Sequence, residues 1–355
     1  MGLLTNWEVL GLKEETTKGT AASLSNDPSG TDDYDLRFYD TEFSTNVEFD
    51  EEESTYLTGD WGGDESIAGT QSGTVSGYVK FRWSGDPTTP PAIAKLLKAG
   101  GLYEHTYTDT DDVGIGYMNV PCGTDRSYTA VFFRPKEGCS TSALKFTLAG
   151  CVASEMSLSV DNVGGVAKLN FTLTGKLNSV EDVTAADVPS VNEESLDSTL
   201  PEKMLKTDVT LLGVTNKISS FELDFGLTAE PIYNQSDYTG FDYYGIVGMN
   251  PTISVDPMQQ LVAEDDVYGK AINSTTGDTK IVFKDDSGNA KLTIDAPNSQ
   301  YLSPDMSSRE ERGAWDVSVR ALRVGNTATT MTSSTGAYSD ANKANFEILL
   351  GKRSA

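Results

Sequence analysis

The chain has 355 residues, 37% of them hydrophobic, with a formal net charge of −26 and a pI near 4.3. That length supports one large β domain or two modest ones without staples. So acidic a surface repels nucleic acid and anionic membrane, no cluster of Lys and Arg offers a grip on DNA, and no apolar run reaches the length of a membrane span.

The N-terminus, MGLLTNWEVLGLKEETTKGT, has neither a basic start nor an apolar stretch of signal-peptide length, so synthesis and assembly in a cytosol are expected. Residues 1 to about 66 are the most acidic part, and FDEEES (Phe49 to Ser54) with TGDWGGDESIAGTQSG (Thr58 to Gly73) predicts a long exposed loop over about 50–73. Tyr56, Leu57, Trp61 and Ile67 are the side chains that could anchor it. Strand signals begin at VSGYVKFRW, where Val79, Phe81 and Trp83 alternate with Tyr78, Lys80 and Arg82.

TTPPAIAKLLKAGG (Thr88 to Gly101) predicts a helix over about 90–99, with Thr89 as cap, Pro90 in the first position and Gly100-Gly101 as its stop. Ile93, Leu96 and Leu97 form its apolar stripe. LYEHTYTDTDDVGIGYMNV and SYTAVFFRP then predict further strands.

Ala143 to Leu177 reads as a hairpin turning at Gly164-Gly165. Met156, Leu158, Val160, Leu169, Phe171 and Leu173 form its buried face, and Ser157, Ser159, Asp161, Thr172 and Thr174 its wet one. Leu177 to about Met204 reads as a polar connector. KISSFELDFGL repeats the alternation, with Ser220, Glu222 and Asp224 outward. TISVD, TKIVFKDDSGNAKLTIDAP, RGAWDVSVRALRV and ANFEILLGK complete the strands, and no repeat of fixed period stands out between the halves.

Catalytic signals are weak. The single histidine, His105, sits in a strand pattern, there is no G-x-S-x-G, and GNTATTMTSSTG lacks the Lys-Ser/Thr ending of a phosphate loop. Cys122, Cys139 and Cys151 are too widely spaced for a zinc site or a disulfide framework, leaving reduced thiols or an inter-subunit bridge. NDPSGTDDYD and DTDDVG bring carboxylates close together without the calcium-loop spacing. No catalytic, cofactor or metal residue is expected, although paired carboxylates for glycoside hydrolysis remain an alternative.

The order of parts resembles the major tail tube proteins of long-tailed bacteriophages. The similarity lies in LGLKEETTKGT with its ETTKGT stretch (Glu15 to Thr20), the acidic Gly-rich loop, PPAIAKLLKAGG, the hairpin ending FTLTG, KISSFELDFG and RGAWDVSVRAL. The resemblance implies a mainly β fold of two packed antiparallel sheets with one flanking helix, in a ring-forming structural protein rather than an enzyme. Residues 1–45 would be an N-terminal arm and first strands, and 46–355 the tube domain with room for a surface insertion. Six copies, or fewer duplicated chains, would form rings whose inner strands make one barrel, and stacked rings would form a channel through which DNA passes unbound. Ser157, Ser159, Asp161, Thr172, Thr174, Ser220, Glu222 and Asp224 are then the candidates for the lumen, the 50–73 loop for stacking, and Ile93, Leu96 and Leu97 for helix packing. Further partners would be tape-measure, terminator and baseplate proteins, and the location the virion tail after assembly in a host cytoplasm. A capsid decoration protein or a baseplate ring subunit is the alternative within the same class.

Overall fold

The computed structural model describes residues 8–22, 36–40, 43–53, 66–108, 113–119, 126–136, 142–184, 197, 199–285, 287–309, 311–323 and 344–352. Along them run β1 (Glu8–Glu14), β2 (Leu36–Asp40), β3 (Ser44–Glu53), β4 (Ser66–Lys80), α1 (Ala94–Ala99), β5 (Tyr103–Thr108), β6 (Val113–Met118) and β7 (Tyr128–Pro135). β8 (Ser142–Val160) and β9 (Lys168–Thr184) form the longest hairpin, followed by β10 (Thr207–Leu211), β11 (Val214–Thr215), β12 (Phe221–Asp224), β13 (Leu227–Tyr233), β14 (Phe241–Met249) and β15 (Thr252–Val255). The last elements are α2 (Val267–Ile272), β16 (Thr276–Lys284), β17 (Ala290–Tyr301), β18 (Asp305–Arg309), β19 (Arg312–Ala321) and β20 (Glu347–Lys352).

The protein is mainly β, with one antiparallel sheet of 18 strands and a separate pair, β13–β14. The two sheets expected are thus one sheet folded over on itself. The reason is strand length: β8, at 19 residues, outlasts a single layer. Its first half pairs with β7 and its last residues with β12, while β9 accompanies it throughout. In the second half, β17 pairs with β20 through Leu292–Asp295 and with β19 through Ser299–Tyr301. Alternating apolar residues from both layers meet in one core that includes Leu158, Phe171, Leu173, Phe221, Leu223, Ile253 and Val319.

The expected helix is present but shorter and differently started. It runs Ala94–Ala99, with Ile93 as N-cap and no side-chain cap bond. Thr89 does not cap it because Asp86 accepts hydrogen bonds from the hydroxyls of both Thr88 and Thr89. Gly101 (φ 78°) supplies the left-handed stop, whereas Gly100 (φ −78°) remains right-handed. Ile93, Leu96 and Leu97 are fully buried as expected, contributing together on the order of 5–9 kcal/mol of apolar burial. A second short helix, α2, was not anticipated.

Much of the expected loop over 50–73 is ordered ladder. β3 opposes β4 from Ser44↔Ser76 to Glu53↔Ser66, and Ile67 sits in β4 opposite Glu52. Gly, Ser and Thr make poor sequence signals for a strand, but the backbone ladder needs no apolar side chain to close. Tyr56, Leu57 and Trp61 lie outside the described residues. The polar connector is likewise shorter than expected, because β9 continues to Thr184. The N-terminal segment contributes β1 to the main sheet, between β2 and β7. No helix among the described residues is long and apolar enough to cross a membrane.

The β13–β14 hairpin is held down by charge. Lys176 on β9 donates to Asp237 at 2.8 Å, and Thr239 donates to the same carboxylate through its N–H and hydroxyl. Burial works against ionisation of Asp237, but these bonds outweigh it and bring its pKa down to about 2 from the ordinary 3.8. A carboxyl depressed in the folded state stabilises fully above its unfolded value, and that stabilisation is lost as the pH falls through the folded one. The stability gap between wild type and Asp237→Asn should therefore be constant above about pH 5 and narrow toward pH 2. Urea midpoints at several pH values read this directly, and a gap independent of pH would rule out the Asp237 charge as its source.

Candidate functional site

Of the proposed lumen residues, Ser157, Ser159, Thr172, Glu222 and Asp224 fall on one side of one run of strands. Thr174 follows at a bulge where it opposes the buried Val152, and Asp161 and Ser220 sit just beyond the ends of β8 and β12. Opposed residues of a ladder share a face, so the registers can be read across the sheet. Thr172 lies between Ser76 of β4 and Glu155 of β8, and Thr174 opposes Thr74. Ser157 lies between Asn170 and Asp224, and Ser159 between Lys168 and Glu222. Glu222 is followed across the sheet by Ser254 and Ser318, and Asp224 by Thr252 and Arg320. Asp305 and Asp316 then face each other across β18 and β19. The result is an antiparallel order β3-β4-β9-β8-β12-β15-β19-β18 with a continuous polar face, rich in hydroxyls and carboxylates and also carrying Lys80, Lys168 and Arg320.

Local bonds hold these side chains in rows. Asn170 donates to both Ser157 and Ser159 at 3.1 Å, Thr174 to Ser154 at 2.8 Å, and Thr172 to Glu155 at 3.3 Å. Lys168 donates to Asp161 at 2.9 Å and stands over the Tyr78 ring, so this cation on the face is matched by a carboxylate. Two open depressions follow the strands. One is lined by Ser159, Asp161, Ser220, Glu222, Ser254 and Asp316 among others, and the second by Ser76, Ser157, Thr172, Glu222 and Asp224. On the reverse side Leu158, Leu169, Leu223 and Ile253 are fully buried. Alternation alone separates the two surfaces.

Asp256 anchors one end of this face. It accepts from the Ser219 and Ser220 N–H groups at 2.7 and 2.9 Å, from the Ser219 hydroxyl, and from Arg309 at 2.9 Å. Desolvation opposes its charge, yet these donors keep its carboxyl below the ordinary value. Together they tie the β12 entry, the β15 exit and the β18–β19 turn.

No protein-family model matches the chain, and no curated protein matches its sequence.

The ETTKGT stretch has a clear structural role. Glu15 is buried, and its carboxylate accepts four bonds: the Gly19 N–H at 2.8 Å, the Ser127 hydroxyl at 2.6 Å, the Thr129 hydroxyl at 2.9 Å and the Gly150 N–H at 2.8 Å. One side chain thereby joins the end of β1 to β7 and to the middle of β8. Gly19 is left-handed (φ 70°), and a Cβ there would collide with the Asp242 carbonyl oxygen at the base of β14. The FTLTG ending is equally specific: a Cβ on Gly175 would strike the Cys151 Sγ. Cys151 is buried and free, and burial pushes its thiol pKa well up, so it is a packing group rather than a nucleophile. Cys122 and Cys139 lie outside the described residues.

His105 is a half-buried residue of β5 whose pKa is lowered by burial, with its ring edge-on to Tyr107 at 4.7 Å. Asn26 to Asp35 and Asp109 to Asp112 lie outside the described residues. Among the described residues no group of three or more His, Cys, Asp or Glu is placed to hold a metal ion. Sequence reasoning missed Ser76, Thr252, Ser254, Asp316 and Ser318 as members of the polar face. The signal was present in the alternation of TISVD and RGAWDVSVRAL, but only the register joins those strands to the β8–β9 hairpin.

Proposed function

We propose that the chain is the major subunit of a phage tail tube, assembling side by side into rings that stack into a hollow channel for DNA. The observation that carries this reading is the eight-strand sheet, polar and net acidic on one face and packed into the core on the other. A channel for sliding DNA must not hold phosphate, because each Lys or Arg contact releases counterions and adds affinity. The proposed lining sets Glu155, Asp161, Glu222, Asp224, Asp305 and Asp316 against Lys80, Lys168 and Arg320, with Lys168 paired to Asp161, so carboxylates outnumber cations.

The apolar reverse face explains the helix. α1 packs its Leu96 and Leu97 against the core, and Gly100 brings its end so near Met156 of β8 that a Cβ there would touch the thioether. A surface closed by helices on one side leaves the other free to face a lumen. The partners are copies of the same chain, and DNA passes without being retained. Imaging of the purified protein over a concentration series tests this reading, with hollow tubes as the expected result.

A further inference from the structure

The two halves of the chain repeat one order of parts. In the first, the β3–β4 hairpin leads to α1 and the β5–β6 hairpin. In the second, a hairpin leads to α2 and the β16–β17 hairpin. That second hairpin has β12–β15 at its base and the separate pair β13–β14 beyond a break at the left-handed Gly226, in one register: Asp224 opposes Thr252, and Leu227 opposes Met249 with no residue gained on either side. The match extends to single backbone bonds. One constant step along the chain carries α1 onto α2 and the left-handed Gly101 (φ 78°) onto the left-handed Ser274 (φ 53°). The same step carries the Leu102 N–H to Leu97 C=O bond onto the Thr275 N–H to Lys270 C=O bond, and Gly101 to Lys98 onto Ser274 to Ala271.

The polar face repeats too. β3-β4-β9-β8 is a hairpin beside a returning hairpin, and β12-β15-β19-β18 is the same arrangement again. The β8–β12 ladder is therefore a joint between two equivalent units that lies inside one chain.

We propose that this joint recurs between chains: β18 of one copy pairs antiparallel with β3 of the next, and three copies, each supplying two equivalents, close a ring with six-fold pseudo-symmetry. The proposal rests on the tube reading above. Eight alternating strands leave edges that run in opposite directions, so an identical rotated copy continues the antiparallel sheet. Among the described residues, β3 pairs with β4 alone and β18 with β19 alone. Both edges also leave an apolar residue uncovered on the core side. Phe49 of β3 is 48% exposed, two residues beyond the core-packed Val47, and Met306 of β18 is 70% exposed opposite the buried Trp315. At the internal joint the comparable pair, Leu158 and Leu223, is 0% exposed.

Dimensions agree. At about 4.8 Å per strand, 24 strands give a perimeter of roughly 115 Å and a width of roughly 37 Å, whereas six chains would double both. A duplex with grooves about 8 Å deep on either side suits the narrower ring.

The test weighs the assemblies by native mass spectrometry and images them end-on. The expected result is a closed particle of three 38.2 kDa chains with six similar lobes. Rings of six chains would overturn the proposal and leave the tube reading standing; monomers at every concentration would overturn both. Met306→Lys and Phe49→Lys each spoil one edge at an exposed position. Each alone should give a folded monomer that unfolds in one cooperative, concentration-independent transition, and their mixture should give one-to-one dimers through the intact edges. Normal rings from either variant would overturn the edge assignment.

Discussion

Glu15→Ala should destabilise the protein by about 3–5 kcal/mol, the range for removing one partner from a buried, charge-assisted network. Four donors converge on this carboxylate: two backbone N–H groups that cannot turn away and two hydroxyls, Thr129 in β7 and Ser127 just before it. Alanine would leave the Gly19 and Gly150 N–H groups without their acceptor in a buried site. Glu15→Gln keeps the shape but substitutes an NH₂ for one acceptor oxygen, so it should lose part of that amount. Thr129 couples the network outward, since its hydroxyl also accepts from the Ala22 N–H at 2.8 Å. Chemical denaturation of the monomer measures both variants. A loss below about 1 kcal/mol for Glu15→Ala would mean that water replaces the carboxylate at little cost.

The second large effect concerns charge on the polar face. Glu222 and Asp224 are exposed, next to Ser159 and Ser157 across the central ladder. Changing both to Lys should leave the fold intact and turn a non-retaining channel into one that holds duplex DNA. With about six phosphates neutralised, affinity should fall on the order of 10³-fold between 50 and 200 mM salt. Assembled wild-type tubes should leave a labelled duplex free at the lower salt. The control is Glu264→Lys with Asp278→Lys, exposed positions in the turn before α2 and in β16, outside the eight strands of this face. Equal DNA binding by the control would show that any added Lys suffices, and would remove the lining assignment for β12.

The wet and dry faces of the β8–β9 hairpin and of β12 were legible because a strand buried on one side alternates with period two. What alternation could not supply was the order of strands. Ser159 and Glu222 are far apart in sequence, and nothing local records that they are neighbours. The β3–β4 ladder was hidden for the opposite reason: its Ser, Gly, Thr and Glu residues carry a loop-like composition while their backbone pairs regularly. Asp86 explains the misplaced helix start, since it competes for the Thr89 hydroxyl through a turn that sequence spacing does not distinguish from a cap.

The internal repeat was illegible in sequence. AKLLKA and VYGKAI share few side chains, and a left-handed Gly is a visible signal where a left-handed Ser is not. Backbone geometry carries the relationship after the residues have diverged. The ETTKGT stretch lay between these extremes: its Glu and Gly were noticeable, but their partners on β7, β8 and β14 come from distant parts of the chain.

Negative-stain electron microscopy of the purified wild-type protein across a concentration series tests the central claim most directly. The account predicts rings or hollow tubes with an open central channel. Monodisperse particles without a channel at every concentration would contradict it.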